Sequence, residues 1–163
     1  MARPPALDLR KIVALARTEA RNLGGSRVEA EHLLLALASQ LQLSAGRLLN
    51  AAGLGPERIR EALDLEFARS LGAVGISLHG FSLPDARLSV LGGLPFSQSA
   101  KLAWQRAIKA RTGRGRDRRL DSLHLLIGIL SAEGGTVARA LSAIEVDRGA
   151  LAARARGALE RAA

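Results

Sequence analysis

Apolar residues recur at helical spacing along most of the chain, and the polar residues between these stripes mark where each helix begins and ends. In the first half, the spacing predicts helices over residues 8–23, 29–41, 45–52 and 56–71. Gly24-Gly25 ends the first helix, Ser44 is placed to cap the third, and Pro56 suits the first turn of the fourth. The first half is therefore predicted to consist of four consecutive helices.

The second half repeats this plan in the same order. The spacing predicts helices over residues 98–112, 122–133, 136–144 and 148–161. Ser97, Asp121 and Asp147 stand where helix N-caps are expected, and Gly134-Gly135 separates the second helix from the third. The predicted fold class is therefore all-α, with about eight helices.

One seven-residue segment occurs in both halves. Residues 31–37 (EHLLLAL) correspond to residues 123–129 (LHLLIGI), so that His32 is equivalent to His124. The same offset pairs Leu49 with Leu141 further along the chain. The chain is therefore interpreted as two pseudo-symmetric four-helix repeats that pack as one domain.

The connection between the repeats is rich in glycine and contains Pro84 and Pro95, but it is not hydrophilic. Its many apolar side chains predict that it lies down on the domain and packs across both repeats. The predicted division is repeat one over residues 7–71, an apolar linker over 72–95 and repeat two over 96–161.

Composition narrows the fold class and the compartment. Hydrophobic residues make up 48% of the 163-residue chain and aromatic residues only 2%, so aliphatic side chains must fill the core, which argues against an all-β fold. The absence of cysteine excludes disulfides and thiolate metal sites, and it favours a reducing cytoplasm. The first residues lack a signal-peptide stretch and no apolar run is long enough to span a bilayer, so no membrane association is expected.

The formal net charge of +9 has two competing explanations. It suits an acidic partner or nucleic acid, but an arginine-rich composition also produces it. The sharpest local feature is a basic cluster in one predicted loop, comprising Arg111, Arg114, Arg116, Arg118 and Arg119. Polyanion or nucleic-acid binding through this loop is the alternative function, and a solvated loop without such a ligand is the other interpretation. The cluster lacks the aromatic residues on which single-stranded bases stack.

Nothing in the sequence predicts an enzyme. No Gly-Lys pair is available for a phosphate-binding loop, and no Gly-x-Ser-x-Gly elbow or cysteine offers a nucleophile. His32 and His124 have no second ligand at metal-site spacing, so each is expected to form a hydrogen bond inside its own repeat. Most acids, Glu66 among them, are expected in first turns or on exposed faces. Catalytic residues, metals and cofactors are therefore not expected.

Several segments together resemble the Clp N repeat, which occurs in tandem at the front of ClpA, ClpB and ClpC unfoldases. They are residues 16–24, 31–35 (EHLLL), 96–100 (FSQSA), 120–129 and 134–141 (GGTVARAL). The resemblance covers about residues 7–70 and 96–160. It implies a pseudo-two-fold pair of repeats that docks substrates, adaptors or modified peptides. Because the ATPase modules of those unfoldases are absent, we expect a free-standing, non-enzymatic protein-binding module connected with Clp chaperone or protease systems.

The resemblance also implies where a ligand would bind. In ClpC-like members, phosphorylated arginine can bind near the start of the second helix of each repeat. There a glutamate holds the guanidinium group, and a hydroxyl residue with free helix amides holds the phosphate. Here Glu31 matches the acid while Ala30 replaces the hydroxyl residue, and Ser122 supplies the hydroxyl while Leu123 replaces the acid. The candidate ligand residues are Glu31, Ala30, His32, Ser122 and His124. The other interpretation of Glu31 is a first-turn acid that faces water.

Overall fold

The structure of the chain is a computed structural model that describes residues 7–75, 93–111 and 119–162. These ranges contain eight α-helices and no strand. In chain order the helices are α1 (Leu7–Asn22), α2 (Ala30–Ala38), α3 (Ser44–Ala51), α4 (Pro56–Ala73), α5 (Gln98–Lys109), α6 (Ser122–Leu130), α7 (Thr136–Ala143) and α8 (Arg148–Ala162). The predicted all-α class and the order of the helices are confirmed.

The second helix of each repeat lies at the centre of the molecule. Nearly every residue of α2 and of α6 is buried, which explains why both segments are apolar all round. The first helix of each repeat packs on its central helix, α1 on α2 and α5 on α6, and the two central helices contact each other. The aliphatic residues of both repeats therefore form one shared core.

Both central helices are shorter than the sequence predicted. Helix α2 ends at Ala38, where the Asn50 side chain donates Nδ2 hydrogen bonds of 2.8 Å to the carbonyl oxygens of Ala38 and Gly46. Helix α6 ends at Leu130, whose carbonyl oxygen accepts from Nη1 of Arg148 at 3.1 Å. Side chains from later helices therefore satisfy the carbonyl groups of Ala38 and Leu130, with which the two central helices end.

Three predicted N-caps are confirmed and one is wrong. Ser97 Oγ accepts from the Ala100 amide, Asp121 Oδ1 from the Leu123 amide, and Asp147 Oδ1 from the Ala150 amide. Ser44, by contrast, is the first helical residue of α3 and not its cap. Its hydroxyl oxygen accepts a hydrogen bond of 3.1 Å from Nη2 of Arg47, one turn further along the helix.

The two repeats differ in how their fourth helices pack. Helix α8 packs mainly on α6 of its own repeat, whereas α4 packs mainly on α7 of the other repeat. This crossing buries Glu66, which is 6% exposed, against α7. The expectation that Glu66 lies in a first turn or on an exposed face is therefore wrong. It assumed that this face of α4 is exposed to solvent, whereas α7 covers it.

An isolated pair of backbone hydrogen bonds also joins the repeats. The Val28 amide donates to the Pro95 carbonyl oxygen at 2.8 Å, and the Ser97 amide donates to the Val28 carbonyl oxygen at 2.9 Å. This bridge places the start of α2 beside the start of α5. It thereby brings residues of both repeats to one edge of the domain.

The ends of the interrepeat connection are described, and its middle is not. Leu94 is fully buried, and its carbonyl oxygen accepts from Nε of Arg17 in α1 at 3.3 Å. Residues 76–92 lie outside the described residues, so the predicted linker packing and the division at residues 7–71, 72–95 and 96–161 stay predictions. Within the described ranges, each helix is too short or too polar to cross a membrane.

Candidate functional site

The two equivalent histidines have the same local role. Nδ1 of His32 accepts from the Glu29 amide at 2.9 Å, and Nδ1 of His124 accepts from the Asp121 amide at 3.1 Å. Each imidazole therefore reaches back to the N-cap of its own helix, as the side chain of a capping box does. Burial lowers the pKa of both histidines, which keeps them neutral and able to accept. The predicted hydrogen bonds inside each repeat are confirmed.

Glu29 is held by the second repeat. Its Oε2 accepts hydrogen bonds of 2.5 Å from the hydroxyl groups of Ser97 and Ser99, and the Ala30 amide donates to Ser99 Oγ at 3.0 Å. Sequence reasoning missed this cluster because its partners lie about 70 positions apart in the chain. The consequence is that side chains of the second repeat hold the carboxylate of Glu29, whereas the carboxylate of the next acid, Glu31, bonds to no other residue among those described.

A cavity of about 300 Å³ lies where the starts of α2 and α7 meet the side of α5. Glu31 and Ala30 of the first repeat line the cavity together with Arg106, Thr136 and Arg139 of the second. Glu31 lies in the first turn of α2, as predicted, and is half-buried. Burial raises the pKa of Glu31, and the negative charges of Glu29 and Glu66 add to this effect while Arg139 opposes it. His32 does not line the cavity.

The equivalent position in the second repeat is closed. Ser122 is 6% exposed and Leu123 is 2% exposed. The Ser122 hydroxyl donates to Asp121 Oδ1 at 3.0 Å and accepts from the Ala45 amide at 3.4 Å. Its donor and its acceptor are therefore both used in hydrogen bonds within the protein. The structure therefore places Ser122 inside the protein and leaves His124 half-buried, whereas Glu31 and Ala30 line a cavity.

Arg139 connects the cavity to the interface between the repeats. Its Nε donates to Glu66 Oε1 at 2.7 Å, and the Ser70 hydroxyl donates to the same oxygen at 2.5 Å. Burial opposes ionisation of Glu66, but these hydrogen bonds and the Arg139 charge outweigh it and lower its pKa. Arg139 also lines a second, larger groove of about 810 Å³ between α4 and α7.

The predicted basic cluster lies only partly within the structure. Arg111 follows the end of α5 and its Nε donates to the Ile108 carbonyl oxygen at 3.4 Å, and Arg119 is exposed before α6. Arg114, Arg116 and Arg118 lie outside the described residues, so polyanion binding by this loop stays a prediction. Among the residues that are described, no three His, Asp or Glu side chains group as a metal site would require.

Comparisons with known proteins bear on the family and the fold of the chain. Residues 7–83 match the family described as "Clp repeat (R) N-terminal domain". The chaperone protein ClpC1 of Oryza sativa subsp. japonica, a chloroplastic protein, is 26% identical over 137 residues, which are 84% of this chain and 13% of that protein. The chloroplastic ClpD2 of the same species is 27% identical over 145 residues, 89% of this chain and 14% of that protein.

A solved structure shares the fold. The crystal structure of the N-terminal domain of the ClpD chaperone from Arabidopsis thaliana superposes with a TM-score of 0.65 at 21% identity. The match covers 94% of this chain and 92% of that domain. The chain therefore spans a whole N-terminal domain but only 13–14% of the length of its full-length relatives.

The described helices define an all-α domain of two packed repeats, with a cavity at the start of α2 and a buried equivalent position at the start of α6. Residues 7–83 match the Clp repeat (R) N-terminal domain family, and the fold of the described chain is that of a Clp N-terminal domain. The resemblance seen in the sequence is thereby confirmed.

Proposed function

We propose that the chain is a non-catalytic binding module that docks substrates, adaptors or modified peptides for Clp chaperone or protease systems. The observation that carries the proposal is the half-buried carboxyl group of Glu31 in a cavity that both repeats line. A carboxylate in such a position holds a guanidinium group through paired hydrogen bonds, which are stronger than those between neutral groups. The proposed ligand is therefore a peptide that presents an arginine or phosphoarginine side chain.

The proposal assigns one binding site to the chain. Glu31 with the neighbouring Ala30 forms it, and His32 supports it from behind by capping α2. Ser122 and His124 are left out, because their polar atoms already bond inside the protein and Leu123 replaces the acid. Thr136 lines the cavity and supplies a hydroxyl group where Ala30 has none.

A peptide titration tests the proposal. A short peptide with a central phosphoarginine and the same peptide with arginine are titrated into the wild-type chain and the Glu31→Gln variant, and affinity is measured by calorimetry. We expect Glu31→Gln to weaken binding about tenfold, because it replaces a charge-assisted pair by a neutral hydrogen bond.

The matched control is Glu57→Gln. Glu57 is also an acid in the first turn of a helix, but its side chain is 87% exposed and remote from the cavity lining. We expect this variant to bind as the wild type does. Equal affinities for wild type and Glu31→Gln, or no binding of either peptide to the wild type, would contradict the proposed function.

The proposed partners follow from the relatives and remain proposals. The names of the relatives include Clp chaperones and an ATP-binding subunit of a Clp protease from Brassica napus, so unfoldase components and their adaptors are the partners to test first. The proposed cytoplasmic location rests on the cysteine-free composition, whereas those relatives are chloroplastic proteins.

A further inference from the structure

Two arginines of the second repeat line the same cavity as Glu31. Arg106 projects from α5 and is half-buried, yet it has no hydrogen-bond or ion-pair partner among the described residues. Partial burial of a guanidinium group without a counter-ion is unfavourable. A guanidinium group held in this way beside a cavity is well placed to pair with an anion that enters the cavity.

Arg139 of α7 offers donors to the same space. Its contact with Glu66 uses only Nε, so Nη1 and Nη2 have no partner within the described part of the chain. The Arg139 side chain is 57% exposed while the Glu66 side chain is 8% exposed, so an accessible arginine is anchored to a buried carboxylate. Because the guanidinium group is planar and rigid, fixing Nε fixes the direction of both terminal nitrogens.

The N-terminus of α7 adds further hydrogen-bond donors to the lining of the cavity. Thr136 is the first residue of this helix and lines the cavity with Gly135 before it. The first amides of a helix have no partner inside the helix, and they carry the positive end of its dipole. Two arginines and the N-terminus of α7 therefore all contribute hydrogen-bond donors to the lining of this cavity.

We propose that Arg106 and Arg139 form an oxyanion subsite in this cavity, for a phosphate or carboxylate group of the ligand, and that buried Glu66 is the positioning residue that orients Arg139. The proposal rests on the proposed function in that both assign the ligand to the same cavity. It assigns roles to three residues from α4, α5 and α7, and so makes the junction of the repeats part of the binding site.

The probes are inorganic phosphate and acetate, added separately at constant ionic strength to the isotope-labelled full chain. Two-dimensional NMR follows the backbone amides of residues 135–137 and the Nε–H signals of Arg106 and Arg139. We expect either or both anions to shift these signals, and the stronger of the two identifies the oxyanion class. Arg106→Gln and Arg139→Gln should each weaken anion binding about tenfold, because hydrogen bonds to charged groups are the strong ones.

Glu66→Gln tests the positioning role. It should move the Nε–H signal of Arg139 and weaken anion binding by a smaller factor, about threefold, since the arginine remains but loses its anchor. Glu66→Asp should restore part of the wild-type affinity if the carboxylate orients Arg139. If Glu66→Gln unfolds, Ser70→Ala provides the test, because it removes one donor to the same carboxylate oxygen and should weaken anion binding slightly.

The control is Arg154→Gln, which removes an exposed arginine on α8 that does not line the cavity. An affinity that falls as much with Arg154→Gln as with the cavity variants, or signals of Arg106 and Arg139 that neither anion moves, would overturn the proposal. Peptide binding without any effect of phosphate or acetate would remove the subsite and keep the proposed function. Anion binding at the two arginines without peptide binding would keep the subsite and remove the proposed function.

Discussion

The imidazoles of His32 and His124 show how one residue type serves the same purpose twice. Each lies three residues after an N-cap and accepts a hydrogen bond from the amide of that cap residue. Only the neutral imidazole has a free lone pair on Nδ1, so protonation removes the acceptor from both helix starts. The N-terminal hydrogen bonds of the two central helices, α2 and α6, therefore depend on pH.

We predict that the free energy of unfolding falls when the pH is lowered below about 6.5. Burial lowers the pKa of both histidines in the folded state, so the unfolded chain binds more protons below that pH, and the stability is lost as the pH falls towards the folded pKa values. Glu31 acts in the opposite sense at lower pH, because burial raises its pKa and favours the protonated folded form.

Urea unfolding between pH 5 and 7.5 measures this dependence, with the fluorescence of Trp104, the one tryptophan, as the signal. A His32→Gln and His124→Gln double variant should flatten the pH dependence, because glutamine accepts the same hydrogen bond in a capping box without titrating. A His79→Gln variant reports what the third histidine contributes. A double variant with the wild-type dependence on pH would refute the assignment.

The local contacts of single residues were predictable and the distant ones were not. The caps Asp121 and Ser97 and the bonds of both histidines join residues within three positions, so the pattern of the chain indicates them. The pairing of Glu66 with Arg139 joins residues 73 positions apart. It depends on how α4 crosses the second repeat, which helical spacing does not encode.

At the scale of elements, the contact between α5 and α6 is closer than side chains normally allow. A Cβ atom on Gly128 would lie 2.8 Å from the Ala107 amide nitrogen and closer still to the Ala103 carbonyl oxygen. The equivalent residue of the first repeat is Ala36, and that helix pair accommodates its methyl group. The repeats therefore share an order of helices but not an interhelical spacing.

We expect Gly128→Ala to destabilise the protein by about 1–3 kcal/mol, because the added methyl group forces α5 and α6 apart in a packed core. Thermal or urea unfolding measures the effect. Gly72→Ala in α4 is the matched control, since nothing lies within 4 Å of its Cβ position, and it should be neutral or stabilising by up to about 1 kcal/mol. Equal stability of Gly128→Ala and wild type would contradict the described packing.

The existence of all eight helices could be predicted from the sequence, but some of their ends could not. Helices α2 and α6 stop early because Asn50 and Arg148, which belong to later helices, bind their last carbonyl groups. Ser44 looked like a cap because of its residue type, yet Leu43 holds that position. Helix ends depend on tertiary partners, whereas helix centres depend on local spacing.

At the scale of the whole molecule, the two repeats contain equivalent helix N-termini, at α2 and α6, that differ in their exposure. The start of α2 borders a cavity that residues of both repeats line, while Ser122 and Leu123 at the start of α6 are buried. The asymmetry follows the packing of α4 on α7, which brings Glu66 and Arg139 together beside the open cavity. The resemblance indicated two sites that each match the family's pattern in part. Only the folded structure shows that the first of them borders a cavity.

The most direct test of the account maps a bound peptide onto the chain. A phosphoarginine peptide is titrated into the isotope-labelled protein, and two-dimensional NMR follows the amides around both helix starts. One molar equivalent should saturate the shifts at residues 29–31 and 134–139 and leave residues 121–124 unchanged. Equal shifts at both helix starts, saturating at two equivalents, would show that the second site is open and would contradict the account.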